Sequence, residues 1–441
     1  SKEKQFTMNN EQCTIFAQTE RSSQIHLDDA EVQPKITQKR SGCVMNDEQW
    51  RKVKLEEVGE INPSNKEPIH SQFVYIDLES VVAGKLLVEN HILRENAPSR
   101  AQRLVYYNDV LYQTVRPYQR NNYIHKKQGN YVASTGYALI RCYDDYEPDF
   151  VYYLLHTHNF ESIVLGLCTG TSYPAIAPNN LKRIKISIPF KNDKPDFPAQ
   201  RRIAAILTSA DKVIAATQKT IAKYKQIKQG MMEDLLNEQC TMNNVQWEKV
   251  KLGECCDKIT DGCHIKPKCV AKSQFLMLSS QNIKDNKLDL SDVSYLTFDD
   301  FERENHRTNI KAGDVLLTIV GTVGRTYLVK ENDVNFTLQR SVAVLAPKAT
   351  LDSSFLLYTL NNLQFVLENE AHGCAQKGIY LKQLNQLLIS IPDLTEQRRI
   401  AAILSGIDAK IAAEEKVLQK YEKVKKGLME KLLNEQCTMN N

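Results

Sequence analysis

No stretch of this sequence approaches the roughly 18 consecutive apolar residues that a membrane-crossing helix requires, and its first residues lack the apolar core of a secretion signal. No Gly-rich phosphate loop and no dinucleotide fingerprint after a strand occurs, which argues against nucleotide hydrolysis and hydride-transfer chemistry. The Asn-Pro-Pro-aromatic or Asp-Pro-Pro-aromatic tetrapeptide with which amino-methyltransferases hold a target amine is missing too. Cys256, Cys263, His264 and Cys269 match no standard zinc spacing, so no metal site is expected. Gly321-Thr322-Val323-Gly324 has a cofactor-like look, but a glycine pair alone is a weak signal. Pro195-Asp196 and Pro392-Asp393 could seed a nuclease motif, yet each stands at the foot of a long helical pattern, where Asp serves to start a helix. The chain is expected to carry no catalytic residue.

The remaining composition is that of an ordinary globular protein. Charged residues make up 25% and apolar ones 42%. A chain of 441 residues is too long for one core. Its eleven cysteines are odd in number and irregularly spaced, which fits free thiols in a reducing cytoplasm better than a disulfide framework. The net charge of +4 permits nucleic-acid binding without arguing for it.

What the chain does have is repetition. Gln200 to Asn244 returns almost intact as Gln397 to Asn441, without a gap: both copies open Gln-Arg-Arg-Ile-Ala-Ala-Ile-Leu and close Leu-Leu-Asn-Glu-Gln-Cys-Thr-Met-Asn-Asn. The same spacing carries Trp50 onto Trp247 and Lys54-Leu55 onto Lys251-Leu252. Within the copies, Ile203, Leu207, Ala210, Ile214, Thr217, Ile221, Tyr224, Lys228, Met231 and Leu235, and then Ile400, Leu404, Ile407, Ile411, Glu414, Leu418, Tyr421, Lys425, Leu428 and Leu432, step by four and three. That is the 3.5-residue period of a coiled-coil seam. No proline interrupts either run. Two such helices of one chain pack most simply on each other, antiparallel, with a globular body at each end. A helix of some 36 residues is roughly 54 Å long and reads as a spacer.

The expected organisation is therefore a leader at 1–46, polar and without period, which reads as flexible or loosely docked; a body at 47–195; a spacer helix at 196–244; a second body at 245–392; and a second spacer at 393–441. Asn10 to Thr14 echoes the repeat's tail. In the first body, strands are expected at Phe73–Ile76, Val110–Tyr112, Tyr137–Ile140 and Ile184–Ile188, and a helix over Asp149 to Phe160. The second body repeats that order with strands at Phe275–Leu278, Val315–Val320, Ser341–Leu345 and Leu387–Ile391 and a helix from Ser354 to Glu370. Between the strands of the first body, Arg116 to Tyr123 and then Lys126-Lys127 interleave basic and amide side chains with tyrosines, a composition suited to touching phosphates and base edges; the competing reading is a solvated hairpin tip.

Two unlike bodies, each closed by Ile-Pro, a short linker, Gln-Arg-Arg-Ile-Ala-Ala-Ile-Leu, an Asp and a long helix, resemble the specificity subunit of type I restriction–modification systems. The matching positions are Gln200, Ile203, Leu207, Asp211, Gly230, Met232 and Leu235, with Gln397, Ile400, Leu404, Asp408, Gly427, Met429 and Leu432. Asp261-Gly262-Cys263-His264, Gly313 to Leu317 with Gly321 to Gly324, Gly378 to Leu381 and, in the first body, Gly170 to Pro174 are similar to that family's target recognition domains. The first body has Gln113 to Asn122 where the second has Gly-Thr-Val-Gly.

The resemblance implies a mixed α/β (α+β) fold with two target recognition domains separated by two long antiparallel coiled-coil helices, related by a pseudo-twofold. It implies sequence-specific binding of duplex DNA at a bipartite site, one half per domain, with the helix pair setting the spacer. It also implies methyltransferase subunits as partners, two of them, carrying the S-adenosylmethionine that this chain does not bind, and a motor-nuclease subunit. The DNA contacts expected are Gln113, Arg116, Tyr118, Arg120, Asn121, Lys126, Lys127, Thr171 and Ser172 in the first domain. In the second they are His264, Lys266, Lys268, Gln281, Asn282, Thr322, Arg325, Gln339 and Arg340. Two alternatives stay open at this stage: the specificity subunit of a type IIB-like enzyme, and a coiled-coil adaptor whose bodies bind protein.

Overall fold

The computed structural model describes residues 49–237, 246–264, 267–284, 286–333, 335–372 and 377–433. The leader at 1–46 and the Asn10–Thr14 echo lie outside them. Among the described residues no helix is long and apolar enough to cross a membrane.

Each body begins with a strand that pairs antiparallel with the strand closing the same body. Gln49–Lys54 runs against Lys185–Lys191, and Glu248–Lys251 against Leu388–Ile391. The entry tryptophan of each pair packs on the following helix. Trp50 lies 6.4 Å from Phe150 in α1 (Pro148–Leu154), and Trp247 lies 6.1 Å from Phe355 in its counterpart. These clips gather both ends of a body at the foot of a long helix.

Inside the first body, one antiparallel sheet runs in the order Gly59–Ile61, Tyr137–Cys142, Val110–Gln113, Tyr123–Ile124. A second sheet carries the parallel pair Gln72–Ile76 and Tyr131–Ser134, edged by Asn90–Leu93 and Ala101–Val105. The second body repeats both. Cys256–Asp261, Val342–Pro347, Val315–Thr318 and Thr326–Leu328 form the first sheet. Phe275–Leu278 pairs parallel with Phe336–Leu338 beside Ser294–Leu296 in the other. Where the first body has the edge strand Ala101–Val105, the second has an acidic-to-basic helix, Phe298–Thr308.

The helix expected over Asp149 to Phe160 is two: α1, then His158–Leu167, because the Thr157 hydroxyl accepts from the Phe160 N–H and starts a new helix. In the second body the expected Ser354–Glu370 helix likewise divides, into Ser353–Asn362 and Gln364–Glu370, with Leu363 as the pivot.

The long helices are α2 (Phe197–Leu235) and α4 (Leu394–Leu433), with α3 (Ser353–Asn362) the second body's counterpart of α1. Asp196 caps α2 through the Ala199 N–H at 2.9 Å, and Asp393 accepts from the N–H groups of Thr395 and Glu396 at the start of α4. The first body's core takes in Ile203, Ala204 and Leu207 from the start of α2 and Leu433 from the end of α4. The second body's core takes in Ile400, Ala401 and Leu404 from the start of α4 and Met232 from the end of α2. The helices therefore run antiparallel, with one body at each end of the pair. Between the bodies Thr217, Ile221 and Ile411 are buried along the seam, Ile214, Tyr224 and Leu418 are half-buried, and Tyr421 is exposed. Lys225 reaches Glu415 across it at 3.3 Å. At about 1.5 Å per residue a helix of this length is close to 60 Å long.

Candidate nucleic-acid interface

In each body the strand at the centre of the first sheet runs into a loop held by one buried polar side chain. In the first body that residue is Gln113, fully buried at the end of Val110–Gln113. Its amide donates to the Val115 carbonyl and to Gln119 Oε1, both at 2.8 Å, and accepts from the Asn121 N–H at 3.1 Å. In the second body it is Thr318, whose hydroxyl donates to the Thr322 carbonyl at 2.5 Å and accepts from the Arg325 N–H at 2.9 Å. Gln113 is thus placed as the loop's internal bracket, with its polar atoms already engaged.

A second segment clasps each loop from outside. In the first body Thr169 and Ala175 form a bridge around Gly170 to Pro174, and the Arg116 N–H donates to the Pro174 carbonyl at 2.7 Å. The second body repeats this with the His372–Gly378 bridge and the Gly321 N–H on the Lys377 carbonyl at 3.0 Å. The next hydrogen bonds match as well: Ile176 N–H to Thr114, and Ile379 N–H to Ile319. Gln113 to Asn122 and the Gly-Thr-Val-Gly segment are therefore the same loop in two versions. Glycine is required in the second version: Gly324 has φ 90°, and a Cβ there would lie 2.7 Å from Gln364 Cγ.

The expected contact residues fall into two groups by what their side chains already hold. In the first body Arg120 forks onto Glu161, at 2.6 Å through Nε, and keeps that carboxyl below its usual range. Lys126 bonds Asn108 and Asp149 at 2.8 and 2.7 Å. Lys127 pairs with Glu89, whose carboxyl it likewise holds low. Asn121 accepts from the Ala83 N–H at 3.3 Å. Arg116 is different. Its guanidinium lies 4.2 Å from the centre of the Tyr173 ring, and its buried Nε has no hydrogen-bond partner. Tyr118, Thr171 and Ser172 are exposed around it, and Tyr173 is 64% exposed. The first body thus presents a stacked Arg–Tyr pair on a hydroxyl-bearing loop, flanked by cations whose charge is already matched.

In the second body two clefts separate the candidates. His264 and Arg340 share one of about 360 Å³ with Asp261, Val320, His372 and Tyr380. His264 Nε2 stands 2.8 Å from Asp261, whose other oxygen accepts from Arg307 at 2.6 Å. Gln281, Asn282, Thr322 and Arg325 line the other, of about 290 Å³, with Lys284 and Asp289. Asn282 is buried and committed: it donates to the carbonyls of Asp289 and Asp292 and accepts from the Ser279 N–H, all within 2.9 Å. Gln339 is half-buried beside Ser341, and Lys268 is exposed. Lys266 lies outside the described residues. Tyr173 and Tyr380, the latter 70% exposed, are surface aromatics that the sequence reading did not place among the contacts. Their signal is an aromatic set beside turn residues in a stretch without apolar period.

Comparison with known proteins agrees with this doubled arrangement. The family model described as the type I restriction modification DNA specificity domain matches residues 47–226 and again 244–423. The chain is 27% identical over 299 residues to the type I restriction enzyme MjaVIII specificity subunit of Methanocaldococcus jannaschii, covering 64% of this chain and 68% of that protein. Among solved structures, a chain from work on complex assembly and conformational transition of the type I R-M system is 25% identical with a TM-score of 0.55, covering 88% of this chain and 98% of that one. The type I restriction-modification system S subunit of M. genitalium shares the fold at 15% identity, TM-score 0.57, over 89% of this chain and 98% of its own.

Proposed function

The chain belongs to the type I restriction modification DNA specificity family, and from that premise we propose that it reads a split duplex site, one half with each body, across a spacing set by α2 and α4. Residues 47–195 and 245–392 are the two target recognition domains, and 196–244 and 393–441 are the spacers between them. The observation that carries this reading is the placement of the two loop systems on bodies at opposite ends of one antiparallel helix pair. Half-sites one helical turn apart need reading heads about 34 Å or more apart, and helices close to 60 Å long supply that span.

Reading is divided between residues by chemistry. Arg116 and Arg340 can address base edges, since a guanidinium pairs bidentately with guanine and discriminates by about 1–3 kcal/mol per base pair. Lys268 serves backbone charge, which is sequence-blind and salt-dependent; Lys126 and Lys127 reach a phosphate only by leaving Asp149 and Glu89. Arg120 reaches a phosphate only by leaving Glu161. Specificity subunits select the DNA and leave the chemistry to others. The partners we propose are two methyltransferase subunits, which hold S-adenosylmethionine and flip the target adenine, and a motor-nuclease subunit.

The test is selection of duplexes from a randomised library by the chain with its methyltransferase partner. Two short motifs at a fixed separation are expected, and the chain alone should transfer no methyl group from S-adenosylmethionine to the selected DNA. A single contiguous motif, or methyl transfer by the isolated chain, overturns the assignment.

A further inference from the structure

The contacts that join each body to the long helices repeat with the pseudo-twofold, residue for residue. Tyr153, buried in α1, donates its hydroxyl to Asp211 Oδ2 of α2 at 2.7 Å. The other oxygen of Asp211 holds Lys425 Nζ of α4 at 2.5 Å, and the same ammonium lies 5.5 Å from the Tyr153 ring centre. In the second body Tyr358 of α3 donates to Asp408 Oδ2 of α4 at 2.8 Å, Asp408 Oδ1 holds Lys228 of α2 at 2.7 Å, and that ammonium lies 5.2 Å from the Tyr358 ring centre. Each triad spans three elements: a body helix, the rod that follows that body, and the opposite rod.

The same body helices are tied to the reading loops at their far ends. Asn122, which accepts from the Gln113 N–H at 2.8 Å, reaches His156 Nε2 at 3.2 Å. In the second body Thr326, next in sequence to Arg325, donates to Asn361 at 2.5 Å. His156 and Asn361 stand three residues beyond Tyr153 and Tyr358, about one turn along. In each half the loop is therefore bonded to a residue that stands about one turn along the chain from the tyrosine that holds the rods.

We propose that Tyr153–Asp211–Lys425 and Tyr358–Asp408–Lys228 are positioning clamps that fix the tilt of each reading head against the rods and so set how sharply the protein rejects a spacing one base pair too long or too short. This rests on the split-site reading. Rod length sets only the mean separation of the heads. A head tilting by about 10° displaces a loop some 20 Å away by roughly 3.5 Å, which is one base-pair step. Fixing the tilt is thus as necessary to a single spacing as fixing the length. An ion pair bridging the two rods at each head suits that role, because it couples the head to both rods at once.

The experiment is library selection with the full chain and its methyltransferase partner, comparing wild type with Lys425→Met, Lys228→Met, the double variant and Lys425→Arg. Expected are unchanged base motifs in both half-sites, with wild type confined to one spacing. Each Met variant should accept the neighbouring spacings, its discrimination reduced about tenfold, as loss of one charged hydrogen bond allows. Lys425→Arg should keep most of the wild-type discrimination. The recovered motifs themselves report that the variants fold, and Tyr153→Phe with Tyr358→Phe gives the same readout with no charge removed. Variants as selective for spacing as wild type overturn the clamp, as does a change of base motif. Wild-type protein that enriches two motifs at no fixed spacing removes the ruler reading and the clamp with it.

Discussion

Arg116 and Gly321 hold the same place in the two halves: each follows the end of an equivalent strand, each has left-handed backbone (φ 53° and 85°), and each donates its N–H to a carbonyl of the clasping segment. For glycine that conformation is free of penalty. For arginine it costs of order 1 kcal/mol, and the first body retains it while aiming the guanidinium at Tyr173.

Replacing Arg116 therefore separates backbone from side chain. Arg116→Gly should leave the first domain as stable as wild type or slightly more so, and should relax base preference at one position of the first half-site by about 1–3 kcal/mol. Arg340→Ala should do the same in the second half-site only. Competition binding with single-base variants of the selected duplex checks both. Uniform weakening across all variants would reassign the residue to a phosphate contact.

Gln200 and Gln397 are buried at the first turns of α2 and α4 and latch them to the bodies. Gln200 accepts from the Glu147 N–H at 3.0 Å and donates to the Asp145 carbonyl, and Gln397 accepts from the Asp352 N–H at 2.9 Å and donates to the Thr350 carbonyl. Either Gln→Ala change removes two hydrogen bonds to backbone groups at the edge of the body, the N–H being on a half-buried residue, and should cost about 1–3 kcal/mol. Urea unfolding should register the loss, and hydrogen exchange should localise it to the amide of Glu147 or of Asp352.

How much of this was legible in the sequence follows from what leaves a local trace. The rods were legible because the seam period from Ile203 to Leu235 recurs from Ile400 to Leu432, and the central strands because Tyr137–Ile140 and Val342–Leu345 are short apolar β-forming runs. The parallel pairing of Gln72–Ile76 with Tyr131–Ser134 joins segments far apart in the chain and leaves no periodic mark. For the same reason nothing local reveals that Arg120 is matched by Glu161, or that Gln113 and Asn282 turn inward as brackets rather than outward as readers. The equivalence of Arg116 with Gly321 was hidden because the loops differ in length and share no residue pattern.

Acid should act on the two bodies unequally. Burial holds His125 and His156 of the first body down to about 4, so both stay neutral in the fold while the unfolded chain takes up protons near 6.5. With fewer protons on the folded state, stability falls as pH drops from about 6.5 to about 4 and levels off below, by on the order of 3 kcal/mol per histidine. The second body has Asn361 in place of His156, a side chain that takes up no proton. Hydrogen exchange against pH should show the first body loosening first, and His156→Asn should reduce the difference; equal loosening of both bodies would refute the assignment.

The most direct measurement shortens both rods together. Removing one heptad from α2 between Ile214 and Ile221, and its partner from α4 between Ile411 and Leu418, keeps the seam in phase and shortens each helix by about 10 Å, close to three base-pair steps. Duplexes selected by the shortened protein with its methyltransferase partner should carry both wild-type half-site motifs at a separation reduced by about three base pairs. Wild-type spacing retained with shorter rods, or new bases in either half-site, would contradict a ruler made of these two helices.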